Sequence, residues 1–378
     1  MVDLDRPVPG LAVLSGRVVL PTAFDPTTWH AHEMLFGFIQ AAVAGFLLTA
    51  VPNWTGRMPI QGWSLGALAL VFIAGRVAVA GSGVIGPLAA AVVDLAFPLL
   101  LLTALAREIL TGRNWRNLPM LGALAALILA NGLTHIEALG WASTGSLGLR
   151  LGIAIVVTLI SLIGGRIIPS FTRNWLAKRR SPHLPAPADR FDALAMAATI
   201  AALVVWVFAP DASAVPPLMA IAGAAAFARL VRWQGHRTLS EPLVWVLHAG
   251  FLWVPIGFSL LALGALFEII TPTAALHALT GGAAATMILA VQTRATLGHT
   301  GRPLHATLST VLIYVLVTVS ALARIAAGVE ADFYLPMLVV AGGTWFAAFV
   351  LFLVVYGPML LLPNPAATKG QPQLQRPS

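Results

Sequence analysis

The chain has 378 residues, of which 58% are hydrophobic and only 10% charged, and its mean hydropathy is +0.88. Soluble domains carry about 25% charged residues, so these values describe an integral membrane protein. The isoelectric point near 11.1 comes from basic residues in short loops between apolar runs, a topology signal rather than a nucleic-acid one, and the absence of cysteine excludes disulfides, iron–sulfur clusters and thiolate ligands.

Residues 1–28 hold no convincing helix. Asp3 and Asp5 precede a segment broken by Pro7, Pro9 and Gly10, which is no signal peptide. Eleven apolar runs follow, near 32–52, 63–80, 87–106, 118–137, 147–168, 191–209, 215–231, 242–266, 274–294, 304–324 and 333–357. Each approaches the roughly 20 residues that cross a bilayer. The longest connection, 169–190, is the one candidate hinge, and no separate soluble domain fits. The predicted fold is an all-α polytopic transmembrane bundle. Its parts are an N-terminal segment 1–28, a transmembrane domain 29–362 and a disordered cytoplasmic tail 363–378.

Of the 22 lysines and arginines, 17 follow odd-numbered runs. The positive-inside rule puts that side in the cytoplasm, with Met1 outside and the C-terminus inside. An external N-terminus without a signal peptide predicts a further helix upstream of residue 1, or a truncated first span.

Three stretches stand out: "WHAHEMLFGF" with "GFLLTAVPNWTGR", "GGRIIPSFTRN", and "LHALTGGAAATMILAVQTRATLGHTGRPL". The first and third form a weak internal repeat. His32 and His277 each lie 25 residues before the arginine of a "TGR", and Gly37 and Gly282 each lie five residues after their histidine. Equivalent helices recurring every four spans predict a pseudo-threefold set of four-helix units.

These motifs resemble the NnrS family of bacterial membrane proteins over about residues 29–362. The resemblance implies a polytopic inner-membrane protein with about twelve spans, the first lying upstream of the HxHE motif. It also implies haem, of the b type, and copper, and a link to nitric oxide, denitrification and nitrosative stress. Haem–copper oxidase main subunits likewise have twelve helices in three arcs, with haem ligands on the second and tenth. Restoring the lost span puts His32 and His277 on those helices, an analogy at fold level only.

His32 and His277 lie at the outer ends of inward-running helices and so share a depth. Two imidazoles from facing helices can hold a haem iron axially, and this pair is the expected haem site. The bland alternative is a pair of interfacial histidines. His30, two residues from His32, points about 200° away on a helix. It either serves a second, copper site with Glu33 or Met34, or anchors the interface beside Trp29. His135, with Asn131 one turn away, could complete a copper site, bond a haem propionate, or simply be interface polarity. His248 sits about six residues inside the eighth run, where a histidine is rarer. His299 lies roughly 33 Å along its helix from His277, so if all these histidines ligate there are two sites, the inner using His248 and His299. His183 and His236 are expected to be solvated.

Asp94 and Arg76 interrupt apolar runs, each at a cost of about 2.5–3.5 kcal/mol on insertion scales. Pairing across adjacent helices would offset this, and a proton path or propionate anchor is the functional alternative. The glycine pairs at 164–165, 281–282 and 342–343 predict close helix packing. No P-loop or Rossmann pattern occurs.

The functional expectation is a haem- and copper-binding membrane protein that acts on or responds to nitric oxide or a related small molecule. Lipid surrounds it, no nucleic acid is a partner, and a quinol or electron-donor protein would supply electrons. Whether it is an enzyme stays open. The competing readings are a transporter with an Asp/Arg/His path and a protein that delivers haem or copper.

Overall fold

The computed structural model describes residues 20–267, 270–329 and 331–362. The expectations for residues 1–19 and for the tail 363–378 lie outside this range. No strand occurs among the described residues, and eleven helices are long and apolar enough to cross a membrane. They are α1 (Pro26–Thr55), α2 (Trp63–Ala80), α3 (Pro87–Thr111), α4 (Leu118–Ala138), α5 (Leu147–Lys178) and α6 (Arg190–Phe208). The others are α7 (Val215–Arg232), α8 (Pro242–Phe267), α9 (Pro272–His299), α10 (Leu308–Ala326) and α11 (Tyr334–Leu361). This is the all-α polytopic bundle the composition predicts.

The largest boundary difference is in α5. Its apolar run ends near residue 168, yet the helix continues to Lys178. Pro169 removes only one N–H from the ladder, and basic side chains at the end complement the helix's negative pole. Arg180, with φ 54, then breaks the helical path. The connection expected over 169–190 therefore shortens to the eleven irregular residues 179–189.

Two helices share an unusual build. In α1, an α-helical turn Pro26–His32 passes into a π-helix over Glu33–Ile39 and returns to α-helix from Gln40. In α9, Pro272–His277 passes into a π-helix over Ala278–Ala284 and returns from Ala285. Each motif histidine is thus the last residue before a seven-residue π segment. Each helix also begins with proline at its first position behind an oxygen-bearing cap, Asp25 or Thr271. The repeat seen in the residues is therefore a repeat of backbone form. α5, which carries the second motif, is a continuous α-helix of 32 residues.

The Asp25 cap carries a prediction. Its carboxylate accepts from the backbone N–H of Thr27 and of Thr28, both at 3.0 Å. Partial burial alone would raise its pKa, but these bonds outweigh that and hold it below the usual carboxylate value. A lowered folded-state pKa means that the cap stabilises above the unfolded value, about pH 4, and is lost as pH falls through the folded one. Asp25→Ala should cost about 0.5–2 kcal/mol at pH 7. The gap from wild type in thermal unfolding in detergent should close towards pH 3.

The chain forms two compact units. The first comprises the described residues up to Leu159 with Leu203–Val215, and the second comprises Ile160–Ala202 and the residues from Pro216 on. In the first, α2 and α3 form a hairpin, and α3 also packs on α1 and α4. A Cβ on Gly75 would lie 3.2 Å from the Cα of Asp94, a tight contact, so glycine eases the close approach of α2 to α3 there. In the second, α10 and α11 form a hairpin, and α8 and α10 both pack on the π segment of α9. Of the glycine pairs expected to bring helices together, Gly164, Gly165 and Gly282 meet Phe251, Arg229 and Trp253. Gly281 and Gly343 instead face open space.

Candidate metal centre

His32 ends the first α-helical turn of α1 and is fully buried. Around it gather Glu33 from the π segment, Arg76 from α2, Asp94 from α3, and Asn131 and His135 from α4. Asn131 and His135 are four residues apart, so one helical face presents both. Asp94 and His135 are buried like His32, while Glu33 and Arg76 are 17% and 18% exposed.

The hydrogen bonds fix each group's orientation. Asp94 turns one oxygen, Oδ1, to Arg76 in a close ion pair. Its other oxygen, Oδ2, accepts from Asn131 Nδ2 at 2.8 Å and from His135 Nε2 at 2.9 Å. Because a carboxylate only accepts, Asn131 must direct its amide nitrogen there and its carbonyl oxygen elsewhere. That oxygen lies 2.8 Å from His32 Nε2, which is also 3.4 Å from Asp94 Oδ2. The other ring nitrogen, Nδ1, lies 3.2 Å from Glu33 Oε1, and the same oxygen accepts from Arg76 Nη1 at 2.8 Å. His32 therefore faces an acceptor oxygen at each ring nitrogen, Asn131 Oδ1 at Nε2 and Glu33 Oε1 at Nδ1.

Aromatic rings close the site. Phe24 and Phe36 stand 5.1 and 5.2 Å from the His32 ring, centroid to centroid, and Phe24 stands 5.6 Å from His135. The two imidazoles meet edge to face at 5.1 Å. Ligand atoms of His32, Asp94 and His135 all lie within 4.8 Å of one another. Among the described residues this is the one group of three or more such side chains that could hold a metal ion.

A family profile described as NnrS protein matches residues 8–364, nearly the whole chain. The chain belongs to the NnrS family. No curated protein and no solved structure matches it. The NnrS match takes in all six residues of the cluster.

The donor set fits a transition metal. Two imidazoles and a carboxylate in a buried pocket can ligate copper, and Asn131 and Glu33 stand where second-layer groups orient ligands. For haem, the expected axial partner, His32 already directs Nε2 to Asn131. An iron bond at that nitrogen would replace this hydrogen bond.

The other motif histidines are placed as follows. His277 holds Nδ1 2.7 Å from the carbonyl oxygen of Thr273, so its Nδ1–H donates one turn back, the kind of bond that fixes the tautomer of a ligand histidine. His30 is half-buried and helical, so it points away from His32. His248 is buried on α8 with Nε2 2.8 Å from Thr172 Oγ1. That hydroxyl donates to Ile168 O at 2.9 Å, so Nε2 carries the proton. His299 is exposed at the end of α9, His183 is exposed in a loop, and His236 is exposed in a short 3-10 turn, Gly235–Thr238.

Two contributors escape a reading of the residues alone. Phe24 lies before the first apolar run, and Gly148, near the start of α5, looks like ordinary small-residue packing. A Cβ on Gly148 would lie 2.5 Å from Ala130 O and 2.9 Å from Thr134 N, so α5 leans on the stretch of α4 that carries Asn131 and His135.

Proposed function

We propose that this NnrS-family protein lies in the bacterial inner membrane with its C-terminus in the cytoplasm and holds copper at His32, Asp94 and His135. Its proposed role is in nitric oxide metabolism or protection against nitrosative stress. The observation that carries the metal reading is the buried His/Asp/His set with ligand atoms within 4.8 Å. The nitric oxide role rests on the family resemblance rather than on geometry. Copper bound there would supply a centre that takes a small neutral ligand and exchanges an electron, with a quinol or donor protein as the source. The chain's own residues do the rest. Asp94 and Asn131 orient the imidazoles, Arg76 offsets the carboxylates, and Phe24 and Phe36 keep water away.

Haem is the alternative occupant of His32, with His277 as a further candidate ligand, because both histidines stand at the same α-to-π junction. A neutral imidazole has one lone pair, so His32 serves one metal at a time. A transporter is a second reading, because interrupted helices beside buried charge are what such proteins use.

The test is metal analysis with a reduced-minus-oxidised absorption spectrum of purified protein. Wild type should contain about one copper at this site, and His135→Ala should lose it while His183→Ala keeps it. Any haem absorption should vanish or shift in His32→Ala or in His277→Ala where that histidine ligates it. Protein free of both copper and haem would overturn the proposal in favour of transport. Ligation requires a neutral imidazole, so copper retention should also fall on acidification.

A further inference from the structure

We propose that Arg76 sets the charge of the centre so that it prefers copper(I) to copper(II), an inference that rests on the copper reading above. Glu33 and Asp94 contribute two negative charges, Arg76 one positive charge, and two ligating imidazoles none, leaving one negative charge to be met. A singly charged ion brings the set to neutrality, whereas a doubly charged ion leaves an excess positive charge beside a fully buried pair of rings. Isolated charge in such surroundings is costly.

The hydrogen bonds display the same requirement. Both ring nitrogens of His32 face acceptor oxygens, so the site is arranged to receive positive charge at that position. Asp94 also divides its duties, since Oδ1 meets Arg76 while Oδ2 faces the imidazoles. Arg76 therefore acts on the metal through Asp94 and Glu33 without occupying the ligand side. It is a positioning and charge-setting residue. Two imidazoles suit copper(I), which needs few ligands, and the carboxylate then serves as counter-charge as much as donor.

The charge count makes the test specific. Purified protein is loaded with copper, and the oxidation state is read by electron paramagnetic resonance. Relative affinities are read by competition with copper(I)- and copper(II)-selective chelators. Wild type should hold EPR-silent copper(I). Arg76→Gln leaves two uncompensated negative charges and should move the preference towards copper(II) by about 100-fold, as expected for a unit charge roughly 6 Å away at an effective dielectric near 20. Arg76→Lys keeps the charge and should keep the preference. Arg76→Gln with Glu33→Gln restores the original count and should restore copper(I), although both side chains have changed. A merely structural role for Arg76 would not produce that recovery.

Copper held with the same preference in wild type and Arg76→Gln overturns the inference alone, as does a double variant that behaves like Arg76→Gln. Wild type that takes up no copper, or His135→Ala that keeps all of it, removes the copper reading and the inference with it.

Discussion

Asp94→Leu should nearly abolish accumulation of the protein in the membrane, and adding Arg76→Leu should bring much of it back. Asp94 is the acceptor on which the cluster converges, taking Arg76 at Oδ1 and both Asn131 and His135 at Oδ2. Removing the carboxylate leaves the guanidinium with Glu33 alone and strips two buried donors of their partner. Breaking a buried pair costs about 3–5 kcal/mol, a large part of the about 5–15 kcal/mol that holds a typical fold. Replacing both charges by leucine removes the stranded cation and returns apolar surface to the helix pair. The double variant should therefore be made and inserted, yet hold little copper. Quantitative immunoblots of membranes give the first reading and metal analysis the second. Normal accumulation of Asp94→Leu would show that the pair bears little on stability and that Asp94 is retained for function alone.

Gly148→Val should strip the site of metal without touching any group that could bind it. Even a single Cβ at this position would press on backbone atoms of α4, at Ala130 O and Thr134 N. Backbone cannot swing aside as a side chain can, so α5 must back away or α4 must bend. Overpacking of this kind costs about 1–3 kcal/mol. Here the displaced turn carries Asn131, which bridges His32 and Asp94, and His135. Copper content should drop several-fold while the protein remains membrane-inserted. Gly132→Ala is the control, because it lies on the same helix beside Asn131 and a Cβ there meets nothing within 4 Å. It should leave metal intact and could add up to about 1 kcal/mol through helix propensity. Equal metal in wild type and Gly148→Val would show that the α4–α5 contact does not position the site.

The spans were legible because hydrocarbon imposes one requirement on every helix, and eleven long apolar runs meet it. Arg76 and Asp94 were legible as partners for the same reason, since each is too costly in an apolar run without a counter-charge. Asn131 and His135 were visible as one helical face, but nothing in "NGLTH" says which helix it meets. His32 shows the limit. Its match to His277 is real at the level of backbone form, and that match together with the family resemblance pointed to a shared haem. Asp94 and Asn131 are its neighbours within its own unit, and those contacts arise from packing among α1, α3 and α4, which no spacing records. Glu33 is similar: adjacency to His32 was plain, whereas its bond to Arg76 depends on how α2 lies. The end of α5 was misplaced because apolar character stops at residue 168 while helix-compatible residues continue.

The π segments have a geometric consequence for aiming. His32, Phe36, Gln40, Ala44, Leu47 and Val51 are all buried along α1. In a straight α-helix His32 and Gln40, eight positions apart, would differ by roughly 80° in azimuth. The wider π turns take back that angle, so the histidine before the segment and the apolar stripe after it face the same way. The interruption works as a phase corrector between the two halves of the helix. What directs the imidazole is then the number of residues in the segment more than their identity. Seven straight α-helical positions also return to within roughly 20° of the same direction, so the segment holds one residue more than a regular helix needs while keeping the ring aimed at Asn131 and Asp94.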